Sequence, residues 1–351
     1  MKFVFASYVT SAGFKSPETW LKRINIYLGT LEALSREHQV TSIEHIDHQG
    51  AYFFNGVDYQ FRRFTKPGYY FPLVMHRFIK RQDPDIVFIQ GMHHPMQVVQ
   101  LRLFLGKKAK IIVQHHAEKP FTGKKRSLQI LADKYIDAYL FASFGLGREW
   151  LEAGIISSAQ KIHEVMEVSS VFHTIDPILA KAKTSASGQP VFLWVGRLDQ
   201  NKDPLNVIKA FLAFVKTCPS ARLYMVYATD ELLTDVIKVL NNDPAGDAVT
   251  LIGKLSHDEL LYWYNSADFM ISGSHYEGSG TAVCEAMSCG CIPILTDIFS
   301  FRTMTQNGRF GMLYPPRRPA GFVERIAANS GDEHGGGAPK SVGPLYRNTL
   351  L

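Results

Sequence analysis

Two carboxylates bracket a turn of small residues in His275-Tyr-Glu-Gly-Ser-Gly-Thr-Ala-Val-Cys-Glu-Ala-Met-Ser-Cys-Gly-Cys-Ile-Pro-Ile-Leu295. Glu277 stands at the entry to the turn, and Glu285 falls inside the short helix expected after it. Gly278, Ser279 and Gly280 allow a backbone to come close to a ligand. Ser279 or Thr281 is expected to cap the helix and Gly290 to end it, with residues 292–295 following as a buried strand. A helix N-terminus with open N–H groups is an anion site. Carboxylates beside such a site are poor partners for the anion itself. They make sense as acceptors for hydroxyls carried by the same ligand. A ligand with both a phosphate and many hydroxyls is a nucleotide sugar.

A second cluster lies upstream, in Val191-Phe-Leu-Trp-Val-Gly-Arg-Leu-Asp-Gln-Asn-Lys-Asp-Pro204. Gly196 and Arg197 end an expected strand, and Lys202 follows within one loop. Such a pair can hold a diphosphate, Arg through its planar fork and Lys as a point charge. It can also stabilise charge on a departing nucleoside diphosphate. The plainer alternative is a solvated surface pair, which the neighbouring Glu277 and Glu285 argue against.

The first segment resembles the E-x7-E signature of the retaining glycosyltransferases of family four, also called group 1. The second resembles that family's strand, Gly-Arg turn and following Lys. Leu251-Ile-Gly-Lys-Leu255, Ala267-Asp268 and Gly308-Arg-Phe-Gly-Met-Leu-Tyr-Pro315 are similar to it as well, so the likeness is specific over about 190–320 and looser before that. The resemblance implies an α/β chain of two Rossmann-like domains facing a cleft, the GT-B arrangement. It implies transfer of a sugar from a UDP-, GDP- or ADP-sugar to an acceptor hydroxyl, with retained configuration. Arg197, Lys202, Gly278, Ser279, Gly280 and Thr281 would then hold the diphosphate, and Glu285 the ribose hydroxyls. Glu277 would face the donor sugar and the reacting centre. Their structural alternatives are a helix-surface charge for Glu285 and an electrostatic helix cap for Glu277. Retaining transfer can use a carboxylate nucleophile; the family is more often described by front-side attack assisted by the leaving phosphate.

In the first half, Ile111-Ile-Val-Gln-His-His-Ala117 places two histidines at a strand end. His116 best matches the family's His that contacts the donor sugar, and His115 is the register alternative. Gly13, in Ser11-Ala-Gly-Phe14, occupies the place of a glycine loop where the family usually has two adjacent glycines. His93 and His94 resemble a metal pair but lack an evident third ligand. Residues 62–81 mix basic and aromatic side chains. They read either as a surface for anionic lipid or as a helix packed by Phe71, Val74, Phe78 and Ile79 with a solvated basic face.

These residues must be positioned by a long series of strands and helices. With 351 residues, 46% of them hydrophobic and 20% charged, the chain has room for two globular domains. Strands are expected at 2–8, 86–90, 110–114, 138–142, 191–195, 222–227, 249–252, 269–272 and 292–295. Helices are expected at 20–37, 128–133, 206–215 and 258–266. Such alternation predicts mostly parallel sheets, with ligands at the carboxyl ends of strands. The domains are expected at 1–172 and 191–328, joined by a polar linker at 173–190. The Gly/Pro-rich stretch 329–351 reads as a disordered tail, and the family's C-terminal crossover helix is not evident.

Residues 1–175 carry roughly +7 and the remainder roughly −1, a basic half that suits an acidic substrate or an anionic membrane. No nucleic-acid signature accompanies it. Four cysteines in no zinc spacing read as small thiols in a reducing, cytoplasmic setting, with peripheral attachment at the inner membrane face if the acceptor is lipid-linked. The reading is therefore a cofactor-free and metal-free glycosyltransferase for polysaccharide biosynthesis, acting on a glycan or lipid-linked acceptor. A nucleotide-sugar epimerase of similar architecture, or a non-catalytic nucleotide- or glycan-binding protein, are the rivals.

Overall fold

The computed structural model describes residues 1–63 and 70–317. By its internal contacts the chain divides into a first unit, Met1–Ser169, and a second, Ser170–Leu351. The expected tail at 329–351 and the question of a crossover helix lie outside the described residues, as does part of the run 62–81.

The strands of the first unit are β1 (Lys2–Ser7), β2 (Gln39–Glu44), β3 (Gly50–Phe54), β4 (Val57–Phe61), β5 (Ile86–Gln90), β6 (Lys110–Gln114), β7 (Ala138–Phe141) and β8 (Ile162–Glu164). Its helices are α1 (Pro17–Arg23), α2 (Asn25–Ser35), α3 (Leu73–Arg81), α4 (Pro95–Leu105), α5 (Gly123–Asp133) and α6 (Phe144–Glu152). The sheet runs β3-β4-β2-β1-β5-β6-β7-β8, parallel except for the β3–β4 hairpin. Phe3, Val4, Phe5 and Ala6 are all buried because helices cover both faces of a parallel strand. β1 sits between β2 and β5, which is where the strand order reverses and ligand crevices form. Ser7 pairs with Gln90 and Gln90 with Gln114, so the loops after β1, β5 and β6 leave the same edge.

The expected helix at 20–37 is two helices. Ile24 leaves helical geometry (φ −103°, ψ 18°), closing α1 with its N–H on the Trp20 carbonyl before α2 begins. The expected apolar stripe still packs: Leu21, Leu28 and Leu31 are buried, with Ile24 and Leu34 against them. α3 buries Met75, His76 and Ile79. Phe71 and Val74, expected to pack it, are 61% and 77% exposed, and Phe78 lies under the Arg62 guanidinium at 4.5 Å.

The second unit has β9 (Val191–Gly196), β10 (Arg222–Tyr227), β11 (Val249–Gly253), β12 (Phe269–Ser272), β13 (Ile292–Thr296) and β14 (Met312–Tyr314). Their order is β11-β10-β9-β12-β13-β14, all parallel. The helices are α7 (Pro177–Thr184), α8 (Pro204–Val215), α9 (Leu233–Asn241), α10 (His257–Ser266), α11 (Thr281–Ser288) and α12 (Phe299–Met304). β9 is buried on both faces: Phe192 and Trp194 join one apolar cluster, Val191 and Leu193 the other.

Residues 173–190, expected as a linker, contain α7. Asp176 caps it, Pro177 starts it, and Ala180 is fully buried. Thr184 Oγ1 meets Ser266 Oγ on α10 at 2.9 Å, so the segment is part of the second unit. Among the described residues no helix is long and apolar enough to cross a membrane.

Candidate active site

In the second unit the site grows from the loops after β9 and β12. The 197–203 loop folds on Asp199. Its Oδ1 accepts the Lys202 N–H at 2.9 Å and its Oδ2 pairs with Arg197 at 3.0 Å. The loop after β12 is stitched to it. His275 N–H donates to the Asn201 carbonyl at 2.8 Å, and Asn201 Nδ2 donates to the Tyr276 carbonyl at 2.9 Å. His275 Nε2 donates to Asp203 Oδ2 at 2.7 Å. Close approach depends on Gly273, where a Cβ would sit 2.8 Å from Val207 Cγ2 and 3.2 Å from the Lys202 and Asp203 carbonyls. The outcome is direct contact between the Lys202 ammonium and the Glu277 carboxylate. An ammonium has three donors, so Lys202 can serve Glu277 and a phosphate together. Arg197 is 62% exposed at its side chain, leaving its fork accessible.

The turn 278–280 is buried and delivers the chain into α11. Neither Ser279 nor Thr281 caps the helix as expected. Gly280 is the N-cap residue, at φ 57°, and has no side chain with which to bond the first turn. Its conformation suits glycine, and a Cβ there would lie 2.8 Å from Phe301 Cε1 on α12. Ser300 Oγ, also on α12, donates to the Glu277 carbonyl at 2.5 Å. Glu277 is therefore held by Lys202 and α12, with Gly280 in the capping position. Gly290, at φ 85°, follows the helix end, where Cys291 N–H bonds the Ala286 carbonyl at 3.0 Å.

Glu285 is buried on α11. It accepts from the Tyr264 hydroxyl at 2.9 Å, and His257 Nε2 stands 3.5 Å from its other oxygen. Phe172 stacks on the His257 ring at 4.3 Å. Burial pushes the Glu285 carboxyl above the ordinary carboxylate value, against the pull of Tyr264 and His257.

In the first unit His116 follows β6 and forms a tight cluster. Its Nδ1 contacts the Glu167 carboxylate, and its Nε2 meets Gln90 Oε1 at 2.8 Å. Tyr27 of α2 lies edge-on to the ring at 6.1 Å. Burial pushes the imidazole down, but the Glu167 hydrogen bond and the charges of Glu167 and Glu118 outweigh it, leaving His116 above the ordinary histidine value. Glu118 fastens the loops after β5 and β6, accepting the N–H groups of Met92 at 2.7 Å and His116 at 2.6 Å. His115 is fully buried, with Nε2 on the Glu118 carbonyl at 2.7 Å, and burial lowers its pKa. His115 is thus a packing residue, and His116 is the more exposed of the two.

Gly13 lies in an exposed loop at φ 92°, its N–H on Asp47 Oδ2 at 2.8 Å, with nothing within 4 Å of where a Cβ would stand. His93 meets Lys125 Nζ at 3.1 Å and His94 is buried. Among the described residues no group of three or more His, Cys, Asp or Glu could hold a metal ion. Asn201, Asp203, Tyr264, His257, Gln90, Glu118, Tyr27 and Glu167 were not foreseen. Gln90 was readable as the polar end of an otherwise apolar strand; Glu167 carried no signal.

Residues 177–334 match the family model described as glycosyl transferases group 1. The chain is 33% identical over 121 residues to a GDP-mannose:cellobiosyl-diphosphopolyprenol alpha-mannosyltransferase of Xanthomonas oryzae, covering 33% of this chain and 31% of that protein. It is 24% identical over 164 residues to a D-inositol 3-phosphate glycosyltransferase of Frankia alni, covering 44% and 40%. The chain thus spans less than half the length of the curated relatives it matches. The structure of Anabaena HepE in complex with UDP superposes with a TM-score of 0.70 at 13% identity, over 93% of this chain and 89% of that one. The fold class is accordingly that of the GT-B proteins, two Rossmann-like α/β units in one chain.

Proposed function

Because residues 177–334 match the family model of the group 1 glycosyl transferases, we propose that the chain moves a sugar from a nucleoside diphosphate sugar to an acceptor hydroxyl with retained configuration. The observation that carries this reading is the Lys202–Glu277 contact beside the N-terminus of α11, whose cap residue is Gly280. A cation, a helix N-terminus and a carboxylate close together are what the diphosphate and hydroxyls of a nucleotide sugar would need. Arg197 and Lys202 hold the diphosphate and stabilise its charge as it leaves. Thr281 and the Gly278–Gly280 turn present backbone N–H groups to the phosphates. Glu285 accepts from the ribose, kept in place by Tyr264 and His257. Glu277 orients the donor sugar, and His116 is assigned to the same sugar.

The relatives suggest the partners. One is named for GDP-mannose and a diphosphopolyprenol-linked acceptor, and HepE was solved with UDP. We extend these to a GDP- or UDP-sugar donor and a glycan or lipid-linked acceptor. The test is release of free nucleoside diphosphate from a panel of nucleotide sugars, with and without such acceptors. Acceptor-dependent release, unimpaired by EDTA, is the expected result. Epimerised nucleotide sugar in the absence of acceptor, or binding without turnover, would displace this reading.

A further inference from the structure

Glu167 is 6% exposed at its side chain, yet it is a carboxylate in the irregular stretch after β8. A buried carboxylate is retained at a cost unless it is paired and hydrogen-bonded. Its partners include the Nδ1 of His116 and the hydroxyl of Tyr27, whose pKa is pushed up to about 12 by burial and by Glu167. His116 is in turn bound on Nε2 by Gln90 Oε1. Both ring nitrogens therefore face acceptor oxygens, so both act as donors and the ring carries its proton. The other titratable groups around it are Glu118, which accepts its backbone N–H, and the imidazoles of His115 and His93.

We propose that Glu167, itself held by Tyr27, is a positioning residue that fixes His116 Nδ1 as a donor and leaves the Nε2 proton to pass from Gln90 to a hydroxyl oxygen of the donor sugar. The partner of one imidazole nitrogen sets what the other can do. With Glu167 on Nδ1, His116 offers the sugar a hydrogen bond and a positive charge, and accepts no proton from it. Gln90 occupies the position that the sugar hydroxyl takes over. The proposal rests on the assignment of His116 to the donor sugar made above.

Long-range 1H–15N spectra of the histidine side chains test this without any substrate. In the wild-type chain His116, identified by its loss in His116→Gln, is expected to keep both ring protons above pH 6.5, where an unperturbed histidine has lost one. In Glu167→Gln, which keeps size and loses charge, its titration midpoint is expected to fall by about one pH unit or more. A neutral His116 at pH 6.5 in the wild type, or the same midpoint in both proteins, would overturn the proposal. Turnover supplies a second readout: Glu167→Gln should lower kcat about tenfold while leaving nucleoside diphosphate affinity unchanged, and Glu167→Asp should recover part of the loss. If the midpoint shifts as expected but neither protein releases nucleotide from any sugar donor, the positioning stands and the glycosyl-transfer reading is what fails.

Discussion

Lys202 and Glu277 meet although 75 positions separate them, and their contact joins two motifs that the sequence presents apart. Both motifs were legible because each packs its chemistry into one turn at a strand end, where residue type and spacing are visible together. Glu167 was not, because the histidine it serves lies 51 positions away and nothing local marks it. The two site glutamates should behave differently when altered. Glu277→Gln is expected to slow transfer while nucleotide affinity holds, since its assigned partner is the sugar. Glu285→Gln is expected to weaken nucleoside diphosphate binding, because a hydrogen bond to a charged group contributes about 1.5–3 kcal/mol. Its effect on stability has the opposite sign. The folded-state carboxyl is held above its ordinary 4.5, so the folded protein binds its proton more tightly than the unfolded chain does. Stability from this group therefore falls as pH rises from about 4.5 through the folded value. Melting curves across that window should show the wild type losing ground to Glu285→Gln as pH increases. Parallel curves would mean that Glu285 ionises freely where it sits.

The strand–loop units explain why the site residues converge. β5, β6, β10 and β12 coincide with short apolar runs that could be read directly, since a strand buried on both faces leaves no other pattern. β2 to β4 were not read: Gln39–Glu44 holds only two apolar residues, Val40 and Ile43, and Val57–Phe61 alternates over just five positions, their burial coming from α2 and from each other. The break at Ile24 was equally silent, having neither proline nor glycine to announce it. Segment 173–190 looked like a linker because α7 is short and 181–190 is polar and closed by Gly188 and Pro190; its order comes from an N-cap and from packing on α10. Gly273 lets the two loops of the proposed donor site approach closely. Gly273→Ala should push the Lys202–Asp203 backbone away from β12, and overpacking of this kind costs about 1–3 kcal/mol. A lowered melting temperature together with weakened nucleotide affinity is expected from thermal melts and calorimetry. Unchanged affinity would show that the two loops keep their register without this close approach.

Over the whole molecule, charge is divided unevenly, with the basic excess in the first half. Tyr70, Phe71, Leu73 and Val74 are exposed at the start of α3, with Arg77, Lys80 and Arg81 exposed along it. If the acceptor is lipid-linked, the chain should co-sediment with anionic vesicles at low salt, each basic residue near the surface contributing about 1 kcal/mol. Reversing Arg62, Arg63, Arg77 and Arg81 to Glu should release it, and sedimentation that survives those changes would remove this surface from the account. The division into two α/β units was legible from the strand–helix alternation; the first domain was expected to end at 172 and the first unit ends at Ser169, whereas α7 went unseen because the residues after it read as loop. In the second unit, Arg197 and Lys202, the latter in contact with Glu277, are proposed to hold the diphosphate of a nucleotide sugar. Calorimetric titration of UDP, GDP and ADP into the wild type and an Arg197→Ala/Lys202→Ala variant tests this most directly. One nucleotide should bind the wild type, and the variant should bind it at least tenfold more weakly, the equivalent of about 1.4 kcal/mol. Equal affinity in the two proteins, or no binding of any of the three, would contradict the account.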